Sequence, residues 1–76
     1  MDMDFYYKLQ NQLLDIDADL EFYQGESRQL HLHDWRVKQH HKVYTGQAIA
    51  DFLSSHKGEH WQNALNTYEH LIASGV

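Results

Sequence analysis

Apolar positions in the first third of the chain recur with a helical beat. Phe5, Leu9, Leu13, Ile16, Leu20 and Tyr23 are spaced by four, four, three, four and three, one stripe of a 3.6-residue helix. Asp2 and Asp4 suit the positive end of such a helix, and Gly25 can take the left-handed conformation that ends one. The spacing therefore predicts a helix over about 4–24, with Asp15, Asp17 and Asp19 as the place where it would break. The pattern then shortens: Leu30, His31, Leu32 and His33 alternate apolar and polar, the period-2 mark of a short strand near 29–33. From 34 to 44 no period is visible, and an irregular loop anchored by Trp35, Val37 and Tyr44 is expected.

Helical spacing returns after Thr45, which can cap a helix starting at Gly46 or Gln47. Ala48, Ile49, Phe52 and Leu53 supply its apolar face, and the run from Ser54 to Gly58 ends it. Trp61, Ala64, Leu65, Tyr68, Leu71 and Ile72 form a last stripe, which predicts a helix over 59–73 closed by Gly75. The expected core is Phe5, Leu9, Leu13, Trp35, Ile49, Phe52, Leu53, Trp61, Leu65, Tyr68 and Leu71. There are no prolines, repeats or low-complexity tracts, so residues 1–76 read as a single small domain.

Composition narrows the function classes. The absence of cysteine excludes disulfides, thiolate metal sites and cysteine nucleophiles. The opening MDMDFYYK lacks the basic start and long apolar core of a signal peptide, and no run approaches the roughly 18 apolar residues of a membrane span. A cytoplasmic protein is expected.

The net charge of −5 opposes general binding to nucleic acid or anionic membranes. Acid gathers at the front, in Asp2, Asp4, Asp15, Asp17, Asp19, Glu21 and Glu26, and base in the middle, in Arg28, Arg36, Lys38, Lys42 and Lys57.

Seven histidines raise the question of a metal. His31 with His33, His40 with His41, and His56 with His60 are the local pairs, but a site needs three or four donors and a supporting shell, so no metal and no cofactor is expected. Catalysis is not expected either. No phosphate loop or nucleophile elbow is present, His33 beside Asp34 reads as incidental, and the carboxylates of the first helix serve as its solvated face.

The stretch YTGQAIADFL, Tyr44 to Leu53, resembles the aromatic-Thr-Gly-x-x-apolar-x-Asp-aromatic-Leu signature of DEP domains. Ala64, Leu71 and Gly75-Val76 are similar to the family's next helix, and LHLHDWRVK is similar to its apolar-x-apolar-x-Asp-Arg run. The resemblance covers about residues 30–76. Departures are Phe52 for the usual tryptophan, Ala50 for a larger aliphatic residue, Trp35 where arginine is common, and a longer first helix. A DEP domain would also continue beyond Val76 into a pair of short strands. The resemblance implies a mainly α, three-helix, DEP-like or winged-helix-like domain with at most a short β element near 29–33.

It also implies function: a non-catalytic interaction module, a signalling adaptor, whose basic residues ahead of the Thr-Gly motif dock a protein partner or an anionic membrane surface. The segment 28–42 carries that expectation through Arg28, Trp35, Arg36, Lys38, His40, His41 and Lys42. Histidine titrates near pH 6.5, so mild acid would raise the charge of this segment. The acidic first helix can occupy it in the same chain or in a neighbour, which leaves autoinhibition and self-association, a homo-oligomer, as the two outcomes open.

The alternative is a winged-helix DNA-associated transcriptional regulator. Its recognition helix would run from Glu59 to Ser74, which has no Lys or Arg to neutralise phosphate. A third reading, an acidic mimic of nucleic acid, rests on Asp15, Asp17, Asp19 and Glu21 alone.

Overall fold

The computed structural model describes residues 2–36 and 42–75. Helix α1 runs over Met3–Ile16, strands β1 (Leu20–Gln24), β2 (Leu30–Asp34) and β3 (Lys42–Thr45) follow, and helices α2 (Gln47–Ser54) and α3 (Glu59–Ala73) close the chain. The strands form an antiparallel sheet in the order β1-β2-β3. Three helices are present as expected, but the β content is a three-stranded sheet and not a single short element.

The long first helix is the main correction. Asp2 caps α1 by accepting a hydrogen bond from the Asp4 amide at 3.0 Å, and the helix ends at the acidic run, eight residues before Gly25 at Asp17. The Asp17 carboxylate accepts from the Asp19 amide at 2.9 Å, a local turn that competes with helix continuation. Leu20 and Phe22 then point into the core while Glu21 points out, so period 2 replaces period 3.6. Leu20 and Tyr23, three residues apart, fit one helical stripe but fall on opposite faces of the strand.

The sheet has two distinct faces. Leu20, Phe22, Leu30 and Leu32 lie on the inner face, in one core with Tyr6, Leu9 and Leu13 of α1, Ile49, Phe52 and Leu53 of α2, and Ala64, Tyr68 and Leu71 of α3. Leu9, Leu13, Leu20, Leu32, Ile49 and Leu71 are fully enclosed, and each such side chain contributes about 1.5–3 kcal/mol relative to exposure. Phe5, Trp61 and Leu65 pack at the rim of this core. Trp35 does not belong to it: with 46 % of its surface exposed, it lies on the other side of the sheet.

Helix α1 lies along the outer edge of β1. Gln10 Nε2 donates to the Phe22 carbonyl at 3.1 Å, occupying a backbone group that an edge strand would otherwise present to another chain.

Gly46 makes the β3–α2 corner. Its backbone, at φ 56° and ψ −133°, is accessible almost only to glycine, and it rather than Thr45 occupies the N-cap position of α2. The Tyr68 hydroxyl donates to the Gly46 carbonyl at 3.0 Å and ties α3 to the corner. A Cβ at Gly46 would meet nothing within 4 Å, so Gly46→Ala tests the backbone alone. We expect it to cost about 1–3 kcal/mol, measured as a lowered urea midpoint with an unchanged far-UV spectrum. No helix among the described residues is long and apolar enough to cross a membrane.

Candidate functional site

Side-chain alternation sends Glu21, Tyr23, His31, His33, Val43 and Thr45 to the outer face of the sheet. Strand register sets them in two rows, Glu21–His33–Val43 and Tyr23–His31–Thr45. The Tyr23 and His31 rings stack across the strands with centroids 5.0 Å apart and planes 6° from parallel. His33 and Trp35 stack at 3.8 Å and 14°. Gly25 belongs to this arrangement, because a Cβ there would come within 2.8 Å of the His31 ring and displace it. Val43, like Trp35, is 46 % exposed. The result is a surface of flat rings beside an exposed aliphatic side chain, on the face opposite the helices.

Trp35 is held in this position from below. Its amide donates to the Asp19 carbonyl at 2.9 Å, continuing the β1–β2 ladder by one residue. Asp34, the preceding residue, turns inward with its side chain 8 % exposed. Arg36 Nε and Nη2 donate to the two Asp34 oxygens at 2.9 and 2.8 Å, and the Arg36 amide donates to Oδ1 at 2.9 Å.

The guanidinium lies 5.5 Å from the Phe52 ring centroid and 5.7 Å from that of Trp61. His56 stacks on Trp61 at 3.9 Å, and Tyr44 packs on Phe52 at 4.5 Å. The Arg36 hydrogen bonds hold the Asp34 carboxyl below the usual carboxylate range, against the opposing effect of burial, and the same pair raises the Arg36 pKa. Arg36 is thus a structural cation that fastens the end of β2 to α2 and α3.

The structure divides the residues expected to bind a partner. Trp35 and Lys42 lie at one end of the sheet, since Lys42 pairs in register with Asp34, and both are exposed. Arg36 is at the same end but engaged with Asp34. Arg28 stands in the β1–β2 turn at the other end, with φ 63°, roughly 20 Å from Trp35 along the extended strand. There it lines a shallow trough with Ser27, Leu30, Tyr68 and Ile72, which adjoins a groove of about 390 Å³ between α2 and α3. Lys38, His40 and His41 lie outside the described residues.

His31 and His33 share the outer face, but no group of three or more metal-donor side chains forms among the described residues. His56 lies in the turn between α2 and α3, and His60 in the first turn of α3.

His31, His33, Asp34 and Val43 lie in or beside the expected docking stretch but were not among its named binding residues, and Tyr23 lies outside it. Asp34 had a signal: in LHLHD it occupies the phase of the buried leucines, with an arginine two residues on. Tyr23 and Val43 had none, because their strands were not visible in the pattern.

No family model, no curated protein and no solved structure matches the chain.

Proposed function

We propose that this chain is a non-catalytic interaction module that docks a protein partner on the outer face of its sheet, at the end carrying Trp35 and Val43. The observation that carries the reading is the ladder of stacked rings, Tyr23 on His31 and His33 on Trp35, next to exposed Val43. Rings held by their neighbours lose little freedom on binding, and aromatic side chains dominate the energetics of protein interfaces. The resemblance of Tyr44–Leu53 to the DEP signature supports the same class, with Gly46 as the residue that its Thr-Gly pair requires at the corner before α2. A cytoplasmic setting goes with this reading.

The site differs from a purely basic patch. Arg36 serves the fold, and Lys42, paired with Asp34, alternates to the side of the sheet opposite Trp35, so an anionic membrane takes second place to a protein. The DNA-regulator alternative lacks support on α3, whose sequence carries no Lys or Arg.

The test is affinity capture from an extract of the source cell with the intact chain, Trp35→Glu, and Glu69→Lys as a control on α3. A protein retained by the intact chain and the control, and lost with Trp35→Glu, supports the site. Equal recovery by all three sinks it. Co-sedimentation of the intact chain with anionic vesicles, or a salt-sensitive shift of duplex DNA, would move the assignment to those partners.

A further inference from the structure

The two edges of the sheet differ. On β1 the Phe22 carbonyl points out of the sheet and accepts from Gln10 of α1, so that edge is occupied. On β3 the alternation of the ladder decides which backbone groups face outward. The Trp35 amide donates to the Asp19 carbonyl, so His31 and His33, which share its phase on β2, bond towards β1, while Leu32 and Asp34 bond towards β3. Their partners Tyr44 and Lys42 turn their backbone groups inward, and Val43 and Thr45 hold their N–H and C=O groups on the open side. No described residue donates to or accepts from these four groups.

The helices leave room for a strand there. α1 and α2 each pack against α3, so three helix axes span about 16–20 Å, whereas three strands span about 10 Å. The helix layer is therefore the wider of the two. α1 takes up the excess at the β1 edge, and at the other edge α2, held under β3 by Tyr44 on Phe52, provides a floor for one more strand.

We propose that the partner enters as an extended peptide segment that adds to β3 as a fourth strand of the sheet. An extended backbone is the ligand that unpaired N–H and C=O groups at alternate residues recognise. A second copy pairing β3 to β3 would bring its own α2 into the space below the shared strands, where the two helices collide, and a lone peptide brings no helix with it. The two bonded peptide residues lie opposite Val43 and Thr45. Their side chains extend the rows Glu21–His33–Val43 and Tyr23–His31–Thr45 on the outer face, and beside Val43 and the ring ladder they are apolar. The peptide residue opposite Lys42 falls on the other side of the sheet and is acidic, because Lys42 is exposed and forms no ion pair among the described residues. Strand addition at this edge rests on the outer face being the docking surface, and gives the form in which the partner binds.

The test is a nuclear magnetic resonance titration of the full isotope-labelled chain with an end-blocked octapeptide of alternating valine and glutamate at millimolar concentration. The Val43 and Thr45 amides are expected to shift, and to exchange with solvent at least roughly tenfold more slowly in the bound state. N-methylation of the valines, whose N–H groups face β3, should abolish binding, and methylation of the glutamates should not. Lysine in place of glutamate should weaken it by about twofold to fivefold. Val43→Pro, which removes an outward N–H that the fold does not use, should lose the peptide with unchanged circular dichroism.

Val43 and Thr45 amides that the peptide leaves unmoved, or that the valine-methylated peptide moves equally, overturn strand addition. Protection of the same amides that rises with chain concentration in the absence of peptide would make the occupant a second copy and overturns it as well. If strand addition fails while Trp35→Glu still loses a captured cellular protein, the docking-face reading stands without it. If the peptide pairs with β3 while Trp35→Glu loses no protein, the edge site stands and the ring ladder is not part of it.

Discussion

Phe22→Ala is expected to lower the unfolding free energy by about 3–5 kcal/mol, a large part of what so small a domain possesses. Phe22 is 1 % exposed, sits on the inner face of β1, and meets the Tyr6 ring of α1 with centroids 5.3 Å apart. Its removal leaves a cavity between the sheet and α1, where fully enclosed neighbours such as Leu9 and Leu32 have little room to collapse. The experiment also discriminates between folds. In a continuous helix through residue 24, Phe22 would lie on the same side as Asp4, since the step of eighteen positions from one to the other completes five turns of about 3.6 residues each. It would then face water, and its truncation would cost almost nothing. Urea unfolding of Phe22→Ala beside Tyr23→Ala, on the opposite face, is the measurement, and comparable small losses for both would contradict the strand.

Asp34→Asn is expected to cost about 2–3 kcal/mol, because it leaves the Arg36 guanidinium over Phe52 and Trp61 without its paired acceptors. The effect depends on pH with a definite sign. The Arg36 hydrogen bonds lower the pKa of Asp34 in the folded protein, so the folded state binds that proton more weakly than the unfolded chain, whose value is about 3.9. The stabilisation is fully present above the unfolded pKa and disappears as pH falls through the lower, folded one. Urea midpoints measured from neutral pH downward should therefore converge for the intact chain and Asp34→Asn in acid. A constant gap between them down to pH values below the folded pKa would show that Asp34 is not ionised in the fold.

How much was legible depended on how many neighbours an element needs. α3 begins at Glu59 and ends at Ala73 as the spacing predicts, because its apolar stripe and its flanking Gly58 and Gly75 are local signals. α2 was legible for the same reason. β1 was not, since Leu20 and Tyr23 continue the helical spacing of the stripe before them, and only pairing with β2 puts them on opposite faces of a strand. β3 was read as loop: Lys42 to Thr45 has too few residues for a pattern, and its extended form comes from the ladder with His31 to Asp34.

The candidate site divides along the same line. Arg36, Lys42 and Trp35 could be named from a local excess of base and aromatics, but a charge count does not say which cation is already paired. Arg36 turns inward because a buried Asp34 needs a donor, and Arg28 is carried to the far end of β2 by the register of the hairpin.

Sequence alone determined the two C-terminal helices and the exclusion of thiol chemistry. These follow from local backbone preference, residue type and helical periodicity. Tertiary structure decided that the first helix stops at Ile16, that three strands form a sheet, and that Trp35 lies outside the core on a ladder of rings. Strand pairing and burial are contacts between residues distant along the chain, and their energies outweigh local preferences that are nearly balanced.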